Sequence, residues 1–421
     1  MKIHLLLCFF ITSALCFAQN ESSTAFFGNL GIDFRPPVPQ VISPIEMISK
    51  ESSTYICDEN GDILFYTNGG TSATAPGTGA IWNADHDIME NGLLEDSSGC
   101  FSAHQGAIVV PFPSNDLKIG SKMYYLFTKD CIESSFASWS FNSGLTYSVI
   151  DMAANGGLGA VLHKNVSAVP FEHNQFISTN HEPVTAILHG NQTDYWLFSY
   201  TKDSLYRLIV DDSGVGSPEI LFPAGGRISI APDREHMCLG RDIYQFDAYT
   251  GDLLYLTSIP GVAGTVAFSP NGRKLYNNEN GSLFQYDLNQ TDILASKTQI
   301  ASLGYIYSMW LAPNHKIYLQ LGNDNHFDGE IRCPNETGAA CDFTLQELPL
   351  GAYTYGGFPN IMAHLLYYNG SCVANLSENL DLDHKVELLK VVNLMGQEVD
   401  GDATGTLLFQ YSDGNVIKIY R

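Results

Sequence analysis

Basic residues are scarce in this 421-residue sequence. It contains 21 Lys and Arg against 45 Asp and Glu, which gives a formal net charge of −24. A field of that sign repels nucleic-acid phosphates and acidic lipid headgroups, so neither is an expected partner. Charged residues make up only 16% of the chain and hydrophobic residues 45%. The sequence can therefore bury a large core and is not disordered as a whole.

Motifs for catalysis and cofactor binding are also missing. There is no CxxC or CxxCH motif for zinc or covalent haem, no HExxH motif for a metalloprotease and no GxSxG nucleophile turn. Asp58, Asn60 and Asp62 follow only half of a calcium-loop pattern, because no glutamate stands at the twelfth position. The sequence therefore predicts no catalytic residue, no metal and no cofactor.

Residues 1–18 have the pattern of a secretory signal peptide. Lys2 and His4 precede an apolar run over residues 5–17, and Cys16 and Ala18 are small residues at the positions expected before a cleavage site. The run is too short to span a bilayer, and no later stretch reaches spanning length. We expect an exported protein that begins at Gln19 and has no transmembrane helix.

A weak repeat occupies residues 54–368. Its three clearest copies place a Pro-Asx turn between two strands, at Pro232, Pro270 and Pro313, which are 38 and 43 residues apart. A second hairpin follows each copy, so four short strands recur about every 40 residues, as in propeller blades. The 38 glycines and 12% aromatic residues also favour strands and turns. We predict an all-β protein, a seven-bladed β-propeller over residues 26–368, with six or eight blades as alternatives.

Both ends of the propeller are predicted to contribute to its seventh blade. Residues 358–362 would supply the inner strand, and residues 26–28 and 31–34 the outer strands, which closes the ring and leaves no sheet edge exposed. Residues 372–421 do not continue the repeat. Segments 386–392, 406–411 and 416–420 of this region have strand patterns, so we expect a small β C-terminal appendage.

Several segments of the propeller region resemble a family of Bacteroidetes secreted proteins. The segments are FFGNLGIDF (26–34), DENGDILFYTNG (58–69), IWNADHDIMENG (81–92), LTYSVIDMAANGGLGAVLHKN (145–165) and YGGFPNIM (355–362). This family belongs to gliding-motility-associated and type IX secretion cargo and is similar to propellers of the quinoprotein amine dehydrogenase β-chain class. The resemblance implies a fold, and a fold does not fix a function.

The C-terminal segment 387–421 resembles a short type A sorting signal of the type IX secretion system. It has an internal Met-Gly-Gln-Glu turn at 395–398 and a basic C-terminal residue, although the Pro-Asn-Pro opening and the penultimate Gly-x-Tyr strand of longer signals are missing. The resemblance implies the type IX secretion machinery as a partner. It also implies passage through the outer membrane to the cell surface or the medium.

Long loops are predicted to gather on one face of the propeller, which we call the long-loop face. Residues 67–80, 131–144 and 322–329 follow the second strand of a blade, and residues 172–183 and 351–357 lead into inner strands at the same rim. Aromatic side chains beside amides, carboxylates and imidazoles suit a sugar or a protein partner. The candidate ligand-binding residues on this face are His104, Gln105, Phe136, Trp139, Phe141, His181, Glu182, Asn323, Asp324, His326, Asp328, Tyr353 and Tyr355.

Cysteine pairing is possible in an exported protein. Nine cysteines occur, two of them in the predicted signal peptide, so the remaining odd number leaves at least one thiol free. Cys100 precedes the inner strand and Cys131 follows the second strand of one blade, so we predict a disulfide between them on the long-loop face. A second disulfide is predicted between Cys333 and Cys341, across a short loop.

The function favoured by the sequence is an exported binding or interaction module. It would recognise a glycan or a protein through the long-loop face, because the predicted insertions gather there and no catalytic motif accompanies them. One alternative is a glycan-processing lyase or hydrolase that uses His104, His181 and Glu182 at the channel mouth. A third reading is a passive structural component of the cell surface.

Overall fold

The computed structural model of this protein describes most of the chain between residues 20 and 370 and three strands near its C-terminus. The described ranges are 20–42, 45–71, 79–94, 99–113, 122–131, 144–169, 182–200, 204–261, 266–321, 327–345, 357–370, 388–393, 397, 399, 406–411 and 416–420. The chain separates into two compact units, Met1–Cys372 and Val373–Arg421.

The larger unit is built almost entirely from short strands. Its first sheet contains β1 (Thr24–Phe27), β2 (Leu30–Asp33) and β3 (Gln40–Ile42). The next sheet has eight strands in the order β4-β5-β6-β7-β11-β10-β9-β8. These strands are β4 (Thr54–Cys57), β5 (Ile63–Thr67), β6 (Ala80–Asn83), β7 (Ile88–Leu93), β8 (Ala107–Pro111), β9 (Met123–Lys129), β10 (Leu145–Asp151) and β11 (Ala160–Ser167).

Four antiparallel sheets follow along the chain. The first contains β12 (Val184–Leu188), β13 (Tyr195–Tyr200), β14 (Ser204–Asp211), β15 (Gly214–Val215) and β16 (Glu219–Pro223). The second contains β17 (Ile228–Ile230), β18 (His236–Leu239), β19 (Asp242–Phe246) and β20 (Leu253–Ser258). The third contains β21 (Val266–Phe268), β22 (Lys274–Glu279), β23 (Ser282–Asp287) and β24 (Thr298–Ser302), and the fourth β25 (Ile306–Leu311), β26 (Ile317–Leu321), β27 (Gly329–Ile331) and β28 (Phe343–Thr344). Within the described ranges, the short 3-10 helices are Asn155–Gly157, Leu294–Ser296, Gly338–Cys341 and Ala363–Leu366.

The strands β4, β8, β12, β17, β21 and β25, called the inner strands from here on, follow one another around a ring. Each contacts the next in this order, and β1 contacts β4. On its other side, β1 reaches β25 through Phe27 and Trp310, whose ring centroids are 5.4 Å apart. The arrangement is propeller-like, in agreement with the all-β prediction.

The sheets do not divide into seven separate blades. Strands β7 and β11 pair in parallel through Glu90 and Ala160, which joins β4–β7 and β8–β11 into one eight-stranded sheet. The prediction of seven blades came from the spacing of repeats. That spacing carries no information about pairing between the outer strands of neighbouring blades.

Hydrophobic side chains fill the space between successive sheets. Separate clusters lie between β4–β7 and β8–β11, between β8–β10 and β12–β14, and between each later pair of neighbouring sheets. The cluster that closes the ring packs Phe27 of β1 and Trp82 of β6 with Trp310 and Tyr318 of the last sheet. Burial of such side chains contributes about 1.5–3 kcal/mol each, so these contacts hold neighbouring sheets together.

Residues 357–368, which we call the channel segment, lie among the inner strands. They correct the prediction that residues 358–362 form an inner strand, because this stretch is irregular and runs into the 3-10 helix Ala363–Leu366. Pro359 has no N–H to donate to a strand ladder. Instead, Phe358 stacks on Trp310 of β25 at 5.4 Å, and the backbone N–H of Tyr368 donates to the carbonyl of Pro270 after β21.

Asn360 connects the channel segment to three inner strands or their starts. Its side-chain Nδ2 donates to the carbonyls of Ala107 in β8 at 2.8 Å and Val184 in β12 at 2.7 Å. Its backbone N–H donates to the carbonyl of Ser53, just before β4, at 2.9 Å. One asparagine thus satisfies inner-strand carbonyls that face the channel and have no neighbouring strand on that side.

The C-terminal unit contains three antiparallel strands in the order β29-β30-β31. They are β29 (Leu388–Asn393), β30 (Thr406–Tyr411) and β31 (Val416–Tyr420). The second and third strands have the predicted bounds, and the first begins two residues later than predicted. None of the helices within the described residues has the length and apolar character needed to cross a bilayer.

Replacing Asn360 should loosen the ring. Asn360→Ala leaves the carbonyls of Ala107 and Val184 without their donor, so we expect the free energy of unfolding to fall by roughly 2–4 kcal/mol. The measurement is urea unfolding followed by fluorescence. The matched control is Asn289→Ala, an exposed asparagine, for which we expect a change within about 0.5 kcal/mol. Equal effects of the two variants would contradict the role of Asn360.

Acid should weaken the same region through His364. Burial, and secondarily the charge of Arg234, lower the pKa of His364 from its usual 6.5 to about 3. Between pH 3 and pH 6.5, His364 binds a proton in the unfolded chain but not in the folded chain. The free energy of unfolding therefore falls as the pH decreases below 6.5. Between pH 6.5 and 4 the loss from this group amounts to at most about 3 kcal/mol.

The measurement is the pH dependence of the unfolding free energy in the wild type and in His364→Gln. The variant should lose less stability than the wild type between pH 6.5 and 4, whereas His163→Gln, which replaces an exposed histidine, should follow the wild-type curve. A His364→Gln curve parallel to the wild type over that range would show that His364 does not set the acid sensitivity.

Candidate functional site

Each inner strand pairs with the strand that follows it in the chain. The inner strand begins at the same end of the sheet at which that following strand ends. In the first three antiparallel pairs, Thr54 lies opposite Thr67, Ala107 opposite Thr128 and Val184 opposite Ser199. Parts of the loops at this end, residues 72–78, 132–143, 170–181, 322–326 and 346–356, lie outside the described residues. The described residues that adjoin these segments include Thr71, Cys131, Glu182, Leu321 and Gly357.

Nine of the predicted ligand-binding residues fall in these segments, outside the described residues. They are Phe136, Trp139, Phe141, His181, Asn323, Asp324, His326, Tyr353 and Tyr355. His104, Gln105, Glu182 and Asp328 are described. His104 and Gln105 line a central cavity, whereas the carboxylate of Asp328 accepts the backbone N–H of Leu321 at 2.6 Å.

A disulfide connects two segments at this end of the sheets. Cys100, before β8, is bonded to Cys131, after β9, and both cysteines are buried. Cys100 also forms a parallel β-bridge with Thr71. The covalent link and the bridge fix the ends of two of the long loops close together.

The predicted disulfide between Cys333 and Cys341 is wrong. Cys341 is a free, buried cysteine, while Cys333 is disulfide-bonded elsewhere. The two residues are neighbours, since the N–H of Cys333 donates to the carbonyl of Cys341 at 2.9 Å. The thiol of Cys341, however, interacts with the hydroxyl of Tyr276. Closeness along the chain therefore did not predict the partner of Cys333.

A group of polar side chains, which we call the mouth cluster, lies where the inner strands begin. Its members are Glu51, His104, Arg227, Tyr307 and Ser308. Glu51 precedes β4, His104 precedes β8, Arg227 precedes β17, and Tyr307 and Ser308 belong to β25. Four separate parts of the chain therefore meet at one mouth of the channel.

Hydrogen bonds and one close polar contact connect the members of the mouth cluster. A guanidinium nitrogen of Arg227 lies 3.4 Å from His104 Nδ1, and His104 Nε2 lies 3.3 Å from a carboxylate oxygen of Glu51. The Tyr307 hydroxyl donates to the same oxygen at 2.9 Å. Burial, and secondarily the charge of Arg227, lower the pKa of His104 to about 3. The imidazole is therefore neutral at pH 7, accepts from Arg227 through Nδ1 and carries its proton on Nε2, the nitrogen nearer Glu51.

Arg227 is the positive charge of this cluster. One of its nitrogens donates to Ser308 Oγ at 3.3 Å, and burial lowers its pKa without removing the charge. Among the described residues, no carboxylate lies within ion-pair distance of its guanidinium. Its two hydrogen bonds, at 3.3 and 3.4 Å, are longer than the usual 2.7–3.2 Å. The guanidinium thus retains donor capacity.

Gln105 and Glu182 position the backbone around the cluster. Gln105 has a φ of +53°, a left-handed conformation that is costly for a residue other than glycine. Its side chain donates to the carbonyl of Ile228 at 3.0 Å and accepts the N–H of the same residue at 3.1 Å. Glu182 is fully buried and its carboxylate accepts the N–H of His104 at 3.0 Å. Both side chains are therefore already engaged with backbone groups.

A buried lysine lies behind this end of β9. Lys129 donates to Ser199 Oγ at 2.8 Å and to the carbonyl of Tyr200 at 2.5 Å. Burial lowers its pKa to about 7, and the charges of Asp130 and Glu182 act in the opposite direction. Lys129 thus links β9 to β13 and is not part of the cavity lining.

The central cavity has a volume of about 150 Å³. It is lined by Glu51, His104, Gln105, Arg227 and Ser308 where the inner strands begin. Farther along these strands it is lined by apolar and aromatic residues, among them Ile230, Phe268, Trp310, Leu311 and Phe358. The cavity therefore has a polar mouth and an apolar interior.

Sequence reasoning found His104 of the mouth cluster and the adjacent Gln105, but it missed the other four members of the cluster. Arg227 directly precedes the apolar strand β17, and a basic residue at the start of an inner strand is a notable signal in so acidic a chain. Glu51 and Tyr307 carry no such signal. Within the described part of the chain, no group of three or more His, Cys, Asp or Glu residues could hold a metal ion.

Comparisons with known proteins reveal similar structures but no sequence family. No family model and no curated protein matches the sequence. A putative 6-phosphogluconolactonase from Bacteroides uniformis is 10% identical with a TM-score of 0.49, over 78% of this chain and 96% of that one. A protein from Lactobacillus plantarum is 13% identical with a TM-score of 0.45, over 80% and 97%.

The extracellular domain of a putative one-component system from B. thetaiotaomicron is also similar in structure. It is 11% identical with a TM-score of 0.37, over 71% of this chain and 37% of that one. These structures are β-propeller-like proteins. With TM-scores below 0.5, the likenesses carry no argument about function, and no comparison supports the resemblance to Bacteroidetes type IX cargo.

Proposed function

We propose that this protein is an exported binding protein that recognises a glycan or a protein through its long-loop face. The observation that carries the proposal is the cavity with the mouth cluster, at the end of the sheets where the inner strands begin. Thr71, Cys131 and Glu182, which flank three of the long loops, lie at that same end. Loops on a rigid scaffold around a concave site are a common form of binding site.

The residues at the mouth suit a ligand with hydroxyl groups better than an apolar one. Arg227 and Ser308 offer hydrogen-bond donors, and Glu51 offers an acceptor. Tyr305 is 59% exposed, and its ring centroid lies 6.3 Å from that of Tyr307. Aromatic area combined with fixed hydrogen-bonding groups is the usual chemistry of sugar recognition. Trp139 and Tyr355, in the loops, would extend this surface.

Binding fits the mouth cluster better than proton transfer does. A glycan-processing enzyme would need a general acid or base with a pKa near the working pH. The pKa of His104, lowered to about 3, makes its neutral imidazole a weak base. Glu182 is fully buried and holds the N–H of His104. A passive surface protein, in turn, would have no use for an arginine with free donor capacity in a cavity.

The propeller and the route of export belong to the same proposal. We assign seven blades, with β4–β7 and β8–β11 as two blades joined by the single pairing of Glu90 with Ala160. Residues 1–18 act as the signal peptide. Residues 372–421 act as the signal for the type IX secretion machinery, which delivers the protein to the cell surface or the medium.

Glycan-array binding of the full chain tests the ligand proposal. We expect binding to a subset of glycans, reduced about tenfold in Trp139→Ala and in Tyr305→Ala, since each loses an aromatic platform on the long-loop face. The matched control is Tyr249→Ala, a 70% exposed tyrosine beside Gly190 at the opposite end of the strands, which should bind normally. Equal loss in all three variants would reject the face assignment, and hydrolysis or elimination of array glycans would favour the enzyme.

N-terminal sequencing and cell fractionation test the export proposal. In a host with type IX secretion, the exported protein should begin at Gln19, and deletion of residues 372–421 should retain it inside the outer membrane. A mature protein that still begins at Met1 would contradict the signal peptide. Surface display of the truncated protein would contradict the sorting role of the C-terminal segment.

A further inference from the structure

We infer that the central cavity binds one neutral sugar ring, the terminal residue of a glycan chain. The inference rests on the proposed function and adds the chemical class of the ligand and its place in the cavity. Polar groups would hold ring hydroxyls at the mouth, and the aromatic interior would contact the C–H face of the ring. Three independent observations carry it.

The first observation is the balance of charge in the cavity. Among its lining residues, Arg227 is positive, Glu51 is negative and His104 is neutral because its pKa is about 3. The fully buried Glu182 stands directly behind His104, and the whole chain has a formal charge of −24. A carboxylate or phosphate ligand would gain attraction from Arg227 alone and meet repulsion from Glu51 and Glu182. A hydroxyl both donates and accepts, so adjacent hydroxyls can pair with Arg227 and Glu51 together.

The second observation is a buried indole N–H without a hydrogen-bond partner in the wall of the cavity. Trp310 is 6% exposed, lines the cavity, and its Nε1–H has no partner. A buried polar group without a partner costs about 1–3 kcal/mol. A ligand hydroxyl in the cavity would supply the acceptor that this indole N–H lacks.

The third observation is the shape and lining of the cavity. Its volume of about 150 Å³ suits a single ring and not an oligosaccharide. The stacked pair of Trp310 and Phe358 forms part of its wall, and an aromatic wall suits the apolar face of a sugar. Channel-segment residues from Gly357 to Leu366 also line the cavity, so we expect this segment to keep a glycan chain from passing between the inner strands. The ring that enters is therefore the last one of its chain.

The test is calorimetric titration of the full chain with methyl glycosides of glucose, galactose and mannose, and with glucuronic and galacturonic acids. We expect at least one neutral glycoside to bind, and the acids to bind at least tenfold more weakly. Arg227→Met and Glu51→Gln should each weaken the neutral glycoside about tenfold. Ser308→Ala is a smaller change at the same site that should weaken it measurably. Arg273→Met, at an exposed arginine at the far end of β21, is the matched control and should bind as the wild type does.

A second readout places the sugar in the cavity. In an NMR spectrum of the full chain, the indole Nε1–H signal of Trp310, assigned by its loss in Trp310→Phe, should shift on addition of the bound glycoside. The shift should be absent with the glycosides that calorimetry shows not to bind.

The outcomes separate this inference from the proposed function. Tighter binding of the acids, especially if Glu51→Gln strengthens it, would overturn the neutral-sugar assignment in favour of a carboxylate site. In another outcome, neutral glycans bind the wild type while Arg227→Met, Glu51→Gln and Ser308→Ala bind them equally well and the Trp310 signal does not shift. Such a result would place the sugar elsewhere on the long-loop face. That result would leave the proposed function standing. No binding to any glycan would remove the inference together with the glycan half of the proposed function.

Discussion

The inner strands depend on the channel segment for hydrogen bonds that no neighbouring strand can supply. An inner strand has one ladder partner, so the backbone groups on its other edge face the channel. Asn360 satisfies carbonyls of β8 and β12 with its side chain and the carbonyl of Ser53 with its backbone. Without these bonds, the starts of three sheets would no longer be held at fixed distances from one another. The mouth cluster is assembled from those starts, so its geometry depends on the same contacts.

The mouth cluster also illustrates how burial selects a protonation state. His104 lies between the guanidinium of Arg227 and the carboxylate of Glu51, and burial keeps its imidazole neutral. A neutral imidazole can accept from one partner and donate to the other, whereas a charged one could only donate. The polar contacts from Arg227 through His104 and Glu51 to Tyr307 are consistent with that single state. The site is thus a fixed set of donors and acceptors, which suits selective binding.

Several features were predictable because they depend on local pattern. The hairpins at Pro232, Pro270 and Pro313 have turn residues between alternating strands, and they appear as the pairs β17–β18, β21–β22 and β25–β26. Cys100 and Cys131 flank one hairpin, and they form a disulfide. Cys333 and Cys341 are closer in sequence than that pair, yet Cys341 is free. Pairing depends on side-chain direction, which sequence spacing does not specify.

The sequence by itself determined the all-β class, the strand positions in most sheets and the acidic character of the surface, because these follow from residue periodicity, turn chemistry and charge. Only the tertiary structure decided that residues 357–368 fill the channel instead of forming a strand, and that Glu51, His104, Arg227 and Ser308 meet at one mouth. The physical reason is that these contacts join residues up to about 250 positions apart. They form only when the ring closes, and no local pattern encodes where a closed ring brings its parts together.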